Sequence, residues 1–221
     1  MRRTLQIYGV IIIIILVGVL VYQNLGKKLE VLPEEKPMVE KTLEGKKIAI
    51  IIAFRDFRDE EYFTPREILE KAGTEIKTVS NEIGTAIGAD GGEVEIDFLV
   101  SELNSADFDA VIFIGGPGCL KNLDNEDSYK IAREAVSQDK VLGAICIAPT
   151  ILAKAGVLSG KKATVWTSPM DKSAVKILKD NGAVFEQKSV VADGKIITGS
   201  GPEAAEEFAM KITGALDRNL N

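Results

Sequence analysis

Cys146 is the residue through which chemistry would most directly enter this chain. It stands in Gly143-Ala144-Ile145-Cys146-Ile147-Ala148-Pro149. Before it, the apolar run Val141 to Ile145 reads as a buried strand; after it, Ala148 to Ala155 is compatible with a helix. A sharp strand-to-helix turn needs small residues two positions either side of its apex, and Ala144 and Ala148 hold those places. The pattern is that of a nucleophile elbow with Cys at the apex. A thiol there is expected to face a helix N-terminus, whose unpaired N–H groups favour the thiolate. The competing reading is a small buried hydrophobe, the common fate of a lone Cys. A second thiol, Cys119, follows Gly115-Gly116-Pro117-Gly118. That loop reads either as a tight turn or as a cradle presenting backbone N–H groups to an anion or a developing oxyanion. Cys119 itself reads either as the partner that resolves an oxidised Cys146 or as an unrelated thiol.

The 221 residues contain no histidine. A Cys–His or Ser–His triad built within the chain is therefore excluded, as is a His-ligated metal site. No metal and no cofactor are expected. The net charge of -6 and the mixed surface charges argue against a nucleic-acid footprint. Two distant cysteines do not make a disulfide framework.

The elements that must position these residues follow an α/β alternation. Lys47 to Ala53 is a continuous apolar strand of the kind buried on both faces of a parallel sheet. A polar loop, Phe54 to Asp59, leads into a helix from about Glu60 to Ala72, and Ile76 to Ser80 forms the next strand. The Gly-rich segment from Ile83 to Phe98 reads as small strands or a flap. Asp109 to Ile114 is another buried strand, and a helix from about Glu126 to Gln138 precedes the Cys146 strand. Beyond the elbow helix come a short strand over Thr164 to Thr167 and a helix over Ser173 to Asn181. A hairpin follows over Val190 to Ile197 with Asp193-Gly194 at its turn, and a last amphipathic helix runs to about Leu216. This predicts a doubly wound α/β domain, in which the ligand crevice lies beyond the C-terminal ends of the strands. Three loops meet there: Phe54 to Asp59, Gly115 to Gly118, and the elbow. Arg55 and Arg58 on the first of them read as attractors of anionic ligands or as solvated surface residues.

Four stretches, taken in order, resemble the ThiJ/PfpI (DJ-one/PfpI) superfamily. KKIAIIIAFRDFRDEEYFTPREIL is similar to its opening strand and acidic position, FDAVIFIGGPG to its Gly-Gly strand end, AICIAP to its cysteine elbow, and GKIITGSGPEAAEEFA to its closing hairpin and helix. The resemblance covers about Lys46 to Leu216. It implies a flavodoxin-like, class I glutamine amidotransferase-like sandwich with a mostly parallel sheet, usually a homodimer. It also implies a reactive pair formed by the elbow Cys and a nearby Glu. By motif position Cys146 and Glu61 are that pair, with Glu60 the second choice for the acid, and the backbone N–H groups of Gly116 and Ile147 match the oxyanion donors. A partly buried Glu can stay protonated and donate a hydrogen bond to sulfur; a first-turn acid that simply favours the helix dipole is the alternative. Peptidase-like members carry His directly after the Cys, where this chain has Ile147. Other members carry a pocket His where Trp166 stands nearest. The implied activity is glyoxalase- or deglycase-like action on small reactive carbonyls in stress protection. The alternatives are a redox sensor reacting with an oxidant, or a scaffold without chemistry; a peptidase lacks its general base.

The first residues form a separate piece. Ile7 to Tyr22 is almost wholly apolar and uncharged, between Arg2-Arg3 and Lys27-Lys28. With its flanking residues it is long enough to cross a bilayer, with tyrosines near the interfaces. A cleaved signal peptide is the rival, but no small-x-small site follows the core. The organisation expected is a single-pass membrane anchor over residues 1–25, a charged tether over 26–45, and the domain over 46–221. The basic N-terminus leans towards an extracytoplasmic domain.

Overall fold

The computed structural model describes Leu43 to Asp217. The anchor expected at Ile7–Tyr22, and all but the last residues of the tether, lie outside the described residues.

In chain order the described elements begin with β1 (Lys47–Ile52), β2 (Arg55–Phe57), α1 (Asp59–Lys71) and β3 (Glu75–Ser80). The short strands β4 (Thr85–Gly88), β5 (Glu93–Glu95) and β6 (Phe98–Leu99) precede β7 (Ala110–Phe113). Then come α2 (Cys119–Leu123), α3 (Glu126–Ser137), β8 (Val141–Ile145) and α4 (Pro149–Lys154). The chain continues through β9 (Lys162–Ala163), α5 (Ser173–Asp180) and β10 (Val184–Phe185). It closes with β11 (Val190–Asp193), β12 (Ile196–Gly199) and α6 (Ala205–Leu216).

Seven strands form the main sheet in the order β11-β12-β8-β7-β1-β3-β6. All its pairings are parallel except the β11–β12 hairpin. The continuous apolar run of β1 is what a strand covered on both faces requires, and its alternate residues feed two separate cores. Ile48, Ile50 and Ile52 pack with Tyr62 and Leu69 of α1 and Phe208 and Ile212 of α6. Ala49 and Ile51 face the other way, among Ile131 of α3, Ile151 of α4 and Leu178 of α5. The result is a three-layer α/β sandwich with a mostly parallel sheet: the alternation predicts the doubly wound domain, and its flavodoxin-like form is what the resemblance implies.

Chain order reverses between β1 and β7, since β3 and β6 lie on one side and β8 and β12 on the other. A crevice opens outside the strand ends at such a switch point. There the loop after β1 meets the loops after β7 and β8.

Two expected boundaries differ. The Phe54–Asp59 loop contains β2, which pairs with β4 in a three-stranded sheet with β5, so the Gly-rich segment is a small sheet anchored to this loop. The strand expected over Thr164–Thr167 is displaced to Lys162–Ala163, paired with β10. Thr164 and Val165 are buried without joining a ladder: the Thr164 N–H donates to Thr198 Oγ1 at 2.9 Å, and the Trp166 N–H to the Cys146 carbonyl at 2.8 Å. Their β-branched character therefore reflects burial beside the elbow, not strand pairing. No helix among the described residues is long and apolar enough to cross a membrane.

Candidate active site

β8 ends at Ile145 and the next residue takes the left-handed conformation, with φ of 63° at Cys146. For a non-glycine residue this costs about 1–2 kcal/mol and persists where the surroundings over-determine it. They do so on both sides of the residue. The Cys146 N–H donates to the Gly199 carbonyl of β12 at 2.9 Å, and the Cys146 carbonyl accepts from Trp166. Ala144 and Ala148 are fully buried, so the small residues either side of the apex sit where the turn folds back.

The helix that follows is not the open N-terminus the sequence suggests. α4 is one and a half turns long and begins at Pro149, which has no N–H. The Ala148 N–H donates to the Ile145 carbonyl, and those of Thr150 and Ile151 donate to Ile147 and Ala148. Only the Ile147 N–H remains for the sulfur, joined by the Gly116 N–H from the loop after β7.

That loop is glycine because of what crosses it. A Cβ on Gly115 would lie 2.6 Å from Cys146 Cβ and 2.8 Å from Glu61 Oε2. Gly116 has φ of 110°, and a Cβ there would meet the Arg58 backbone nitrogen at 2.4 Å; one on Gly118 would reach the Arg55 carbonyl at 1.9 Å. The Arg58 N–H donates to the Gly115 carbonyl at 3.2 Å, and the Gly118 N–H to the Asp56 carbonyl at 3.0 Å. The loops after β1 and β7 are thus in backbone contact, which brings α1 to the elbow.

Glu61, in the first turn of α1, is 0% exposed, whereas its neighbour Glu60 is exposed. Burial therefore separates Glu61 from Glu60. Its Oε2 accepts from the Gly115 N–H at 3.1 Å, and its carboxyl shares a hydrogen bond with the Cys146 thiol. Oε1 is buried with no fixed partner. Pro65 stands four residues on within the same helix, so the Glu61 carbonyl has no amide of its own turn to receive.

Burial raises the Glu61 carboxyl from 4.5 to about 7, against the opposing pull of its hydrogen bonds and of Arg58. Burial also raises the Cys146 thiol, and the Glu61 charge then pushes it up to about 12. The two groups titrate as one pair, because a charged Glu61 holds the thiol neutral. With the single remaining proton on Glu61 instead, the like-charge repulsion disappears. The sulfur then accepts from two backbone N–H groups and one carboxyl. Burial and the Glu61 charge thus hold the Cys146 thiol protonated, against the thiolate that the elbow sequence leads one to expect, and a thiolate forms only when the proton passes to Glu61.

Cys119 lies behind the site, near enough for the charges of Cys146 and Glu61 to act on its thiol. It is 0% exposed, inside the core layer of α3, α4 and α5, whereas Cys146 packs against the α1 and α6 layer. Burial holds its thiol well above the ordinary range. Both cysteines are free, and a resolving role for Cys119 would require its buried thiol to become accessible. Arg58 is engaged by Asp90 at 3.2 Å, and Arg55 lies over the Phe54 ring at 4.9 Å. No group of three or more acidic or Cys side chains among the described residues is placed to hold a metal ion.

Sequence reasoning reached the other side of the elbow only through Trp166, the residue nearest the position of a pocket His in other members of the family the sequence resembles. Trp166 and the Ser200-Gly201 turn after β12 border a cleft of about 470 Å³ that neither Cys146 nor Glu61 lines. The sequence signal was slight: a single Trp in the stretch that follows the elbow helix.

The profile of the DJ-1/PfpI family matches residues 46–215. An uncharacterized protein of Methanocaldococcus jannaschii is 35% identical over 178 residues, covering 80% of this chain and 85% of the relative. Protein/nucleic acid deglycase 2 of Escherichia coli is 33% identical, covering 77% of this chain and 99% of the relative. Among solved structures, a ThiJ/PfpI domain protein from Brachyspira murdochii superimposes with a TM-score of 0.72 at 32% identity, covering 78% of this chain and 98% of that one.

Proposed function

The chain belongs to the DJ-1/PfpI family, and on that premise we propose a cofactor-independent cysteine enzyme that acts on small reactive carbonyls, of the glyoxalase or deglycase kind, in stress protection. One observation carries the reading: two backbone N–H groups and a buried carboxyl converge on a single sulfur at a strained elbow. The name of the Escherichia coli relative supports the carbonyl class.

The thiol proton passes to Glu61, and the thiolate adds to the aldehyde carbon. The C=O electron pair moves onto oxygen, where the Gly116 and Ile147 N–H groups stabilise it. The Glu61 proton then passes to that oxygen. A hemithioacetal and a Glu61 carboxylate result, with total charge unchanged. The carboxylate is then the base available to the carbon it faces. For a 2-oxoaldehyde it takes the C–H proton to give an enediol and returns it to the adjacent carbon, while the hydroxyl proton on the first carbon passes to the oxygen on the second; water then hydrolyses the resulting thioester to a 2-hydroxy acid and releases the Cys146 thiol. The oxidation of one carbon and reduction of its neighbour balance, so no external oxidant enters. The full-length chain should turn over methylglyoxal. Cys146→Ser should abolish this, and Glu61→Gln should lower kcat by roughly 100-fold or more. No turnover by the intact chain overturns the reading.

The unpartnered Glu61 Oε1 favours a second reading, in which Cys146 is an oxidant sensor. There the thiolate displaces hydroxide from a peroxide to give a sulfenic acid, and a second equivalent gives a sulfinic acid whose oxygen meets the protonated carboxyl. Mass spectrometry after mild peroxide should find oxygen added at Cys146 and no Cys119–Cys146 link; an unoxidised Cys146 removes this reading.

Ile7–Tyr22 is the single-pass anchor in this proposal, with the domain extracytoplasmic and paired as a homodimer. Its support is the uncharged apolar stretch between basic flanks and the family resemblance.

A further inference from the structure

The first turn of α1 carries Glu61 and has little support from its own helix. Its N-cap, Arg58, makes no side-chain capping hydrogen bond, and Pro65 leaves the Glu61 carbonyl without a helical amide. An uncapped first turn frays unless other segments hold it. Two glycine-rich turns hold this one. The first is the loop after β7, where the Gly115 carbonyl accepts from the Arg58 N–H at 3.2 Å and the Gly115 N–H donates to Glu61 Oε2 at 3.1 Å. The second is Gly88-Ala89-Asp90-Gly91-Gly92, at the tip of the β4–β5 hairpin.

Asp59, the first residue of α1, reaches this second turn. Its Oδ1 accepts from the Gly92 N–H at 2.6 Å, and its Oδ2 from the Asp90 N–H at 2.8 Å. Backbone N–H groups converging in a tight turn bind a carboxylate as a nest binds an anion, through charge-assisted bonds. The turn is bare of side chains where the carboxylate lies. A Cβ on Gly88 would meet Asp59 Oδ2 at 2.3 Å and Oδ1 at 2.4 Å, and one on Gly92 would meet Oδ1 at 2.4 Å. The chain just ahead of the helix is tied to the same turn. The Ala89 N–H donates to the Phe57 carbonyl at 2.8 Å, and the Arg58 guanidinium pairs with Asp90 at 3.2 Å. These bonds fix the start of α1, two residues before Glu61.

We propose that Asp59 is a positioning residue: the Gly88–Gly92 turn binds its carboxylate and so holds the first turn of α1 with Glu61 on the Cys146 sulfur. The role concerns the Glu61–Cys146 pair; only its extension to turnover rests on the carbonyl reading above.

The pair is read without a substrate, from the pH dependence of iodoacetamide alkylation at Cys146 in the full-length chain, followed by mass spectrometry. Gly88 is not among the residues of positive φ, so Gly88→Ala keeps the Asp59 charge and changes only the space its carboxylate fills. It should lower the alkylation midpoint by at least about one pH unit, towards that of Glu61→Gln, because a displaced Glu61 no longer holds the thiol neutral. Asp59→Ala should do the same. In the Glu61→Gln background neither change should move the midpoint further. An unmoved midpoint in both variants, with circular dichroism of the folded chain, overturns the proposal. An equal shift in the Glu61→Gln background also overturns it, because the change then acts on Cys146 without Glu61. Where either variant does not fold, Asp59→Asn decides: it keeps the shape and one acceptor oxygen, and should give a smaller shift in the same direction, whereas no shift overturns the proposal. Methylglyoxal turnover by the unmutated chain, with unmoved midpoints in the variants, defeats the positioning role alone. Moved midpoints without turnover by the unmutated chain defeat the carbonyl reading and leave the positioning role standing.

Discussion

At the scale of the residue, the protein turns on one proton shared by Glu61 and Cys146. The carboxyl is hydrogen-bonded to a backbone N–H and still sits near 7, because burial outweighs that bond. This has a consequence for stability. Between the ordinary value of 4.5 and about 7 the folded chain holds a proton that the unfolded chain has lost, so stability falls as pH rises through that window. The loss reaches about 3 kcal/mol above pH 7. Glu61→Gln removes the titration. Its urea midpoint should match the parent near pH 4 and exceed it above pH 7, even as activity is lost; a variant less stable at both extremes contradicts this. The elbow itself was legible from residue types, since Ala144 and Ala148 flank a Cys between a strand and a helix pattern. The preference for Glu61 over Glu60 came from motif position and not from residue type; the structure adds that Glu61 is buried and Glu60 exposed, a difference set by which side of α1 faces the interior.

At the scale of the element, β1 and the glycine loop do the positioning. β1 sends Ile48, Ile50 and Ile52 into one core and Ala49 and Ile51 into the other, so it fixes the distance between the α1 layer and the α4 layer. Ile50→Ala should cost about 2–5 kcal/mol, read as a lower urea midpoint with an unchanged slope, and a shift under about 1 kcal/mol contradicts the two-sided packing. The buried strands were readable because a strand covered on both faces must be apolar throughout. The small sheet of β2, β4 and β5 was only partly readable. β2 is three residues long and polar at two of them, so its pairing comes from its partner and not from its own pattern. Thr164–Thr167 misled for the opposite reason, since β-branched residues are buried there by side-chain and elbow hydrogen bonds.

At the scale of the whole molecule, three layers bring residues far apart in the chain to the switch point between β1 and β7. If the apolar stretch ahead of them is an anchor, the full-length chain should remain in the membrane fraction after carbonate washing, and deletion of residues 1–25 should release it; recovery of the intact chain in the soluble fraction contradicts the anchor. The sequence by itself determined the α/β alternation, the elbow, the family, and the lack of a histidine within the chain, because those follow from residue identity and local periodicity. The tertiary structure decided the rest. It placed the Gly116 N–H at the sulfur, buried Cys119 in the layer away from Cys146, and gave Glu61 its raised pKa. The physical reason is that burial, desolvation and shared protons depend on which segments pack together, and here the partners come from the ends of different strands.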